Sequence, residues 1–207
     1  MDFIDLKIEG IEAGVWPDVS AFPLPVLLPC QTHSCHVGVI GPEDAAGEFP
    51  QTDALVSFRS GLRIGVRTAD CVSVLLYAPD IRAVAAVHAG WKGSLGGIVT
   101  NTVDTLRGAG ADPAKISAAF GPSICGDCYE VSHELATAFA DAGFGDCVVG
   151  ERNLDLQKVN VRRLIAAGLT DGNIRRSRFC TFTTPGLPSW RRDPGTSSRL
   201  LTYIGLS

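Results

Sequence analysis

The chain has no surplus of positive charge: its 207 residues carry 18 Lys and Arg against 22 Asp and Glu, a formal net charge of -4. Neutralising a phosphate backbone takes clustered cations in excess, so no nucleic-acid partner is expected and a small-molecule one is. No apolar run approaches the length of a membrane span, and no membrane association is expected. The opening MDFIDLKIEGIEAG holds acidic residues and no uninterrupted apolar stretch, which does not suit a secretory signal, so the expected compartment is the cytoplasm. Repeats, low-complexity tracts and a long Pro/Ser-rich linker are missing too, which leaves one domain over residues 1–207 as the expectation. The seven cysteines are an odd number, and in a reducing compartment they read as buried, catalytic or metal-bound thiols and not as a disulfide framework.

What is present is enough apolar material for a substantial core, at 45% hydrophobic residues, with 23 Gly and 12 Pro marking many tight connections. DALVSF, LRIGVR, VSVLLY and RAVAAVH are short aliphatic runs separated by turn residues such as RSG and APD, and they read as successive strands. The last two are apolar on both faces, as strands covered by helices are. After Trp91 the period changes: Leu95, Ile98, Val99, Val103 and Leu106 recur at helical spacing. A second helix is expected with Val131, Leu135, Ala138, Phe139 and Ala142 on one face, and a third over Leu156 to Ala167. KISAAF, IRRSRF and RLLTYIGL read as further strands. The expected class is mixed α/β, a layered sandwich.

Imidazole is scarce, yet LPCQTHSCHV, Leu28 to Val37, packs two of the four histidines and two cysteines into ten residues. His33 in that stretch follows an apolar run that reads as a strand end. Cys71 lies at the junction of two strands, and His88 closes AVAAVH where a glycine-bearing turn begins. Strand termini of one sheet can bring such distant residues together. Two imidazoles and one thiolate suit zinc, and three protein ligands leave the fourth position for a water whose pKa falls toward neutrality. A histidine ending an apolar strand is equally at home as a hydrogen-bonded core residue.

QTH at Gln31 to His33, RTADCVSVLLYAPD at Arg67 to Asp80, VAAVHAGWKGSLGGIV at Val84 to Val99, GPSICGDCYEV at Gly121 to Val131 and SWRRDPGTSSR at Ser189 to Arg199 occur in one order. Together they resemble the YfiH or laccase-domain family, from about residue 30 to the C-terminus. The resemblance implies a YfiH-like fold and one zinc held by His33, Cys71 and His88 plus water. It also implies purine nucleoside phosphorylase activity, covering methylthioadenosine, together with adenosine deaminase activity, in a monomer or homodimer. For that chemistry Asp70, beside Cys71, is the candidate carboxylate to move a proton to the departing amine, or to orient a ligand instead. Gln31 is expected to line the site. Phosphate needs cations, for which Lys92 and Arg67 rank first by nearness to a ligand, followed by Arg191, Arg192 and Arg199. Trp91 suits stacking on a purine or burial in the core.

Relative to the family pattern, the portion before Gln31, about residues 1–29, is short and lacks the S-T-R-x-G-G and N-L-G stretches. Ser123 stands where a cysteine is common, and Cys125 and Asp127 replace a more usual Gly and a variable residue. A nucleotide-linked cell-wall precursor is therefore an alternative ligand, through the family's members in peptidoglycan editing. Cys125 and Cys128 form C-x-x-C ahead of the helix carrying Val131, a place where a helix N-terminus lowers a thiol pKa. A dithiol redox protein would use them so, and a structural zinc would combine them with Cys30 and Cys35. The word laccase does not bring copper with it, because four histidines cannot furnish mononuclear and trinuclear copper centres. His36 and His133 carry no assignment.

Overall fold

The computed structural model describes residues 4–5, 7–41 and 49–207. Twelve strands and four α-helices follow one another along the described chain. The strands are β1 (Ile4–Asp5), β2 (Ile11–Trp16), β3 (Val37–Ile40), β4 (Ala54–Ser57), β5 (Arg63–Thr68), β6 (Val72–Ala78) and β7 (Ala83–Ala89). Helices α1 (Trp91–Gly96) and α2 (Ile98–Gly108) precede β8 (Ser117–Phe120). Then come α3 (His133–Phe139), β9 (Val148–Val149), β10 (Asn153–Leu154), α4 (Leu156–Ala166), β11 (Ile174–Arg175) and β12 (Leu200–Leu206).

Two sheets and a helical layer stack on one another. A mixed sheet runs β11-β8-β6-β7-β4-β3, an antiparallel sheet runs β1-β2-β12-β5, and β9 and β10 form a separate ribbon. The period-2 alternation of β6 and β7 explains the stacking. Val72, Val74, Leu76 and Ala78, with Ala83, Ala85 and Val87, face the side covered by Ile98, Val99 and Val103 of α2 and Val159 and Leu164 of α4. The intervening Leu75, Val84 and Ala86 meet Ile64 and Val66 of β5 and Ile204 and Leu206 of β12 from the second sheet. Both faces of the central strands are thus buried, as their unbroken apolar sequences suggest. Each fully buried Leu or Ile there contributes about 1.5–3 kcal/mol. One buried polar pair crosses between the sheets, Ser73 Oγ to Thr202 Oγ1 at 2.8 Å.

The runs expected as strands form β4, β5, β6, β7, β8 and β12, and the helix expected from Leu156 is α4. Other expectations are corrected. The helix after His88 already starts at Trp91. It breaks at Gly97, whose φ of +88° lies in the left-handed region that glycine enters without cost. The helix carrying Leu135 ends at Phe139 and passes into a wide turn over residues 140–144 containing Gly143 at φ +86°. IRRSRF pairs only through Ile174 and Arg175, after which Arg176 and Arg178 turn to solvent. The apolar run before His33 is no strand: prolines 23, 25 and 29 deny it the ladder, and Leu27 makes one isolated bridge to Ile64. Strands β2 and β3 lack a clear sequence signal because Gly14 and Gly38 interrupt them. Among the described residues no helix is long and apolar enough to cross a membrane.

Candidate metal centre and its cleft

Sheet register brings the site together. β6 pairs antiparallel with β7 with Ser73 opposite His88 and Val72 opposite Ala89, so Cys71, just before β6, stands over the end of β7. β4 pairs with β7 on its other side with Ala54 opposite Val87. This places Asp53 beside His88, whose backbone N–H donates to the Asp53 carbonyl at 2.7 Å. The Asp53 carboxylate, fully buried, accepts from His88 Nδ1 at 2.7 Å. It also accepts the backbone N–H groups of Thr32 (3.1 Å), His33 (3.0 Å) and Ser34 (2.8 Å), and the Ser34 hydroxyl (2.7 Å). One carboxylate therefore orients one histidine directly and folds the loop that delivers another. That loop holds His33 at φ +62°, a conformation that costs a non-glycine residue about 1–3 kcal/mol and persists where surrounding bonds impose it.

The ligand atoms of His33, Cys71 and His88 lie within 4.8 Å of one another. Cys71 Sγ is 3.8 Å from His33 Nε2, and the two imidazole rings meet edge to face, their centroids 4.8 Å apart. Gly90 makes this approach possible: a Cβ there would fall 2.7 Å from His33 Cδ2 and 3.3 Å from Cys71 Sγ. Burial opposes ionisation of Cys71, yet hydrogen bonds from His33 and His88 outweigh it and bring the thiol down to about 6. Burial likewise opposes charge on His88, and the bonds to Asp53 and Cys71 overcome it, so its pKa rises. Asp53 is buried as well, but His88 and Ser34 hold its carboxyl well below the usual carboxylate range.

This donor set fits a cation. Tetrahedral zinc with Zn–S of about 2.3 Å and Zn–N of about 2.0–2.1 Å spaces S and N by about 3.6 Å, close to the 3.8 Å between Cys71 and His33. The Asp53 contact at Nδ1 leaves Nε2 of His88 as the atom that could face a cation, in the carboxylate–histidine arrangement that orients metal ligands. What favours a proton on Nε2 favours a metal ion in its place.

The triad lies in a cleft of about 670 Å³, a volume suited to a small ligand. Gln31, Arg67, Thr68, Asp70, Tyr129, Trp190, Arg191 and Arg199 are among its walls. Gln31 pairs with the edge of β5 through Nε2 to the Arg67 carbonyl (2.8 Å) and Oε1 from the Arg67 N–H (2.9 Å). Asp70, at φ +96°, has both oxygens engaged, accepting from Thr181 Oγ1 at 2.6 Å and from the Arg191 N–H at 2.7 Å. The Arg191 guanidinium stacks 5.1 Å above the Tyr129 ring. Burial, with Cys71 nearby, pushes the Tyr129 phenol up to about 12, so it keeps its proton at neutral pH.

Other sequence candidates fall elsewhere. Lys92 does not line this cleft; its Nζ sits 5.4 Å over the Trp91 ring, and Trp91 packs against the core under the helices. Arg192 spends its guanidinium on the carbonyls of Thr181, Phe182 and Leu187. His36 bonds the Gln51 carbonyl, His133 opens α3, and Cys30 is exposed. The C-x-x-C does not sit on the N-terminus of α3, which Ser132 caps. Burial pushes Cys125 up to about 12 and raises Cys128, the reverse of an activated dithiol, and their sulfur neighbour is Cys180 and not Cys30 or Cys35.

Asp53, Thr68, Tyr129 and Trp190 escaped sequence reasoning. Thr68 closes β5, and its buried hydroxyl has no hydrogen-bond partner among the described residues. The signal for Asp53 was an acid immediately before the apolar run of Ala54, Leu55 and Val56, where a solvated charge would be out of place.

Comparison with known proteins extends this geometry. The chain is 40% identical over 170 residues to "Adenosine deaminase RL5" from an unknown prokaryotic organism, covering 75% of this chain and 65% of that one. It is 40% identical over 161 residues to "Purine nucleoside phosphorylase" of Deinococcus radiodurans, covering 76% and 62%. The chain thus spans just under two thirds of either relative's length. Among solved structures, the hypothetical protein YfiH of Bacillus licheniformis superposes with a TM-score of 0.82 at 32% identity, over 88% of this chain and 74% of that one. Neisseria meningitidis NMB0706 gives 0.85 at 25% identity over 100% of both chains. Residues 18–207 match the family described as multi-copper polyphenol oxidoreductase laccase, and with these relatives sharing its sequence and its fold, the chain belongs to that family.

Proposed function

We propose that the chain is a zinc-dependent purine nucleoside phosphorylase, methylthioadenosine among its substrates, that also deaminates adenosine. The observation that carries this reading is the Asp53-organised set of His33, Cys71 and His88 at a cleft that also offers aromatic and cationic walls. The names of the relatives point the same way. Zinc would be held by those three side chains, and when bound it supplies Lewis acidity and brings the pKa of a water toward neutrality. Copper of the laccase kind does not suit a chain with four histidines.

The protein's own residues divide the remaining work. Arg67, Arg191 and Arg199 face the cleft and are suited to the charge of phosphate. Tyr129 and Trp190 offer faces to a purine, and the protonated Tyr129 hydroxyl can donate a hydrogen bond. The Thr68 hydroxyl, buried and unpartnered among the described residues, is a further donor at the wall. Asp70 holds the Thr181 and Arg191 segments against the ligand-bearing turn, which favours a positioning role over proton transfer. Because the cleft draws on residues from Gln31 to Arg199, residues 1–207 act as one unit in this reading.

Metal analysis of the pure protein, followed by incubation with adenosine with and without phosphate, tests the proposal. Phosphate-dependent release of adenine and phosphate-independent formation of inosine are expected, both abolished by metal removal and restored by zinc. Zinc-loaded protein inert toward purine nucleosides would sink the substrate assignment, and turnover surviving complete chelation would sink the metal.

A further inference from the structure

We propose that Cys125, Cys128 and Cys180 form a second metal site, for a thiophilic d10 cation, zinc or copper(I), that pins the wall of the cleft without taking part in its chemistry. The proposal is independent of the activity assigned above.

The three sulfurs lie within 4.8 Å of one another, although Cys180 is 55 residues from Cys125 in sequence. A zinc or copper ion with M–S bonds of about 2.3 Å draws such sulfurs to about 3.8–4.0 Å apart, a small contraction. Thiolate sets select zinc and copper(I) over hard cations. One backbone N–H already points at sulfur, and a tight turn gathers the other two thiols. Cys125 N–H donates to Cys180 Sγ at 3.3 Å. The short 3-10 turn Gly126–Cys128 brings Cys128 back beside Cys125, with Cys128 N–H on the Cys125 carbonyl at 3.0 Å. Three thiolates gathered at this range repel one another, and a bound cation offsets that repulsion.

The surroundings indicate what the ion would do. None of the three cysteines lines the cleft of the histidine triad, so substrate does not reach this site through it. The cluster sits where two wall segments join. Ser123 and Cys180 form a bridge, with Thr181 N–H on the Ser123 carbonyl at 3.0 Å. The first segment continues through Ile124, whose N–H bonds the Asp70 carbonyl at 3.0 Å, to Tyr129 in the cleft wall. The second continues through Thr181, which bonds the Asp70 carboxylate. An ion on the three sulfurs fastens both segments around Asp70, next to Cys71. Among the described residues the group consists of these three side chains, which suits trigonal copper(I) directly and leaves zinc one position for solvent.

Reduced, metal-stripped full-length protein is titrated anaerobically with Zn2+ and, in a parallel arm, with Cu+; Co2+ serves as a spectroscopic probe. Two ions per chain are expected for the wild type, and one each for Cys71→Ala and Cys180→Ser. In Cys71→Ala the remaining cobalt shows the strong thiolate charge-transfer bands of an all-sulfur site, and in Cys180→Ser the weaker bands of a single thiolate. Competition between the two arms decides which d10 cation the sulfurs prefer. The sulfur-site affinity is expected to fall at least 100-fold in Cys180→Ser and in Cys128→Ser, so a folding failure of either variant leaves the other to report. Cys71→Ala that takes up neither cation and shows no all-sulfur spectrum, or a Cys125–Cys128 disulfide that re-forms in preference to metal uptake, overturns the proposal, whatever the histidine triad binds. Turnover is not the readout, so inactivity toward nucleosides leaves this test intact.

Discussion

His33, Cys71 and His88 gather their ligand atoms within 4.8 Å, and Cys125, Cys128 and Cys180 do the same, but the two triads stand in different surroundings. The first lines a cleft with arginines and aromatics and leans on a buried carboxylate that orients its imidazoles. The second is all sulfur, lies off that cleft, and is tied to backbone N–H groups and to a bridge between two segments. Ligand spacing alone does not separate a reactive centre from a fastening. What separates them is the shell behind the ligands and the space in front of them.

Substitution at the first triad has the largest expected effect. Cys71→Ala or His88→Ala lowers affinity at that site by more than about 100-fold, since losing even a supporting partner costs 10–100-fold, and isothermal titration of chelated protein with Zn2+ measures it. Equal losses at both triads from either variant would erase the distinction between them.

Thiol reactivity in chelated, reduced protein sharpens the contrast. Cys71 is lowered from 9.0 to about 6, so its thiolate and its alkylation by iodoacetamide are present at pH 7 and lost as pH falls through about 6. Cys125, raised to about 12, stays unmodified at pH 7. At that pH a thiol at 6 is roughly 100-fold more ionised than one at 9, and site-resolved mass spectrometry reads the difference. A Cys71 reactivity that only turns on near pH 9 would contradict the imidazole contacts.

Asp53→Asn comes next. It weakens metal binding at the histidine triad by about 10–100-fold and, as a broken buried pair, costs up to about 3–5 kcal/mol of stability by urea denaturation. The sulfur triad has no such carboxylate and should keep its affinity; a matching fall there would show that Asp53 acts on the whole fold. Thr181→Val is the mildest. It removes the hydrogen bond to the Asp70 carboxylate, a loss of about 1.5–3 kcal/mol, and under the proposed activity should raise KM for the nucleoside more than it lowers kcat. A pure kcat effect would place Asp70 in the chemistry.

Much of this was legible in the chain. Short, nearly continuous apolar runs marked β6 and β7 because their side chains bury on both faces, and the helical spacing after Trp91 marked α1 and α2, though not the break at Gly97. His33, Cys71 and His88 could be named from the motifs around them, but the strand supposed to precede His33 does not form. The loop owes its shape to Asp53, which no local pattern connects to residues 32–34. Lys92 illustrates the opposite failure: four residues from His88 in sequence, it turns onto Trp91, because residues near in a chain diverge wherever a helix begins.

Residue chemistry and periodicity by themselves determined the layered α/β class, the buried strands and the stock of imidazoles and thiols from which a metal site could be drawn. Which of the four histidines and seven cysteines meet was decided only by tertiary structure. The registers Ser73 opposite His88 and Ala54 opposite Val87 bring Cys71 and Asp53 to one imidazole, and the bridge from Ser123 to Cys180 closes the sulfur triad. Sequence carries donor type, but distance and desolvation between donors exist only once the strands have paired.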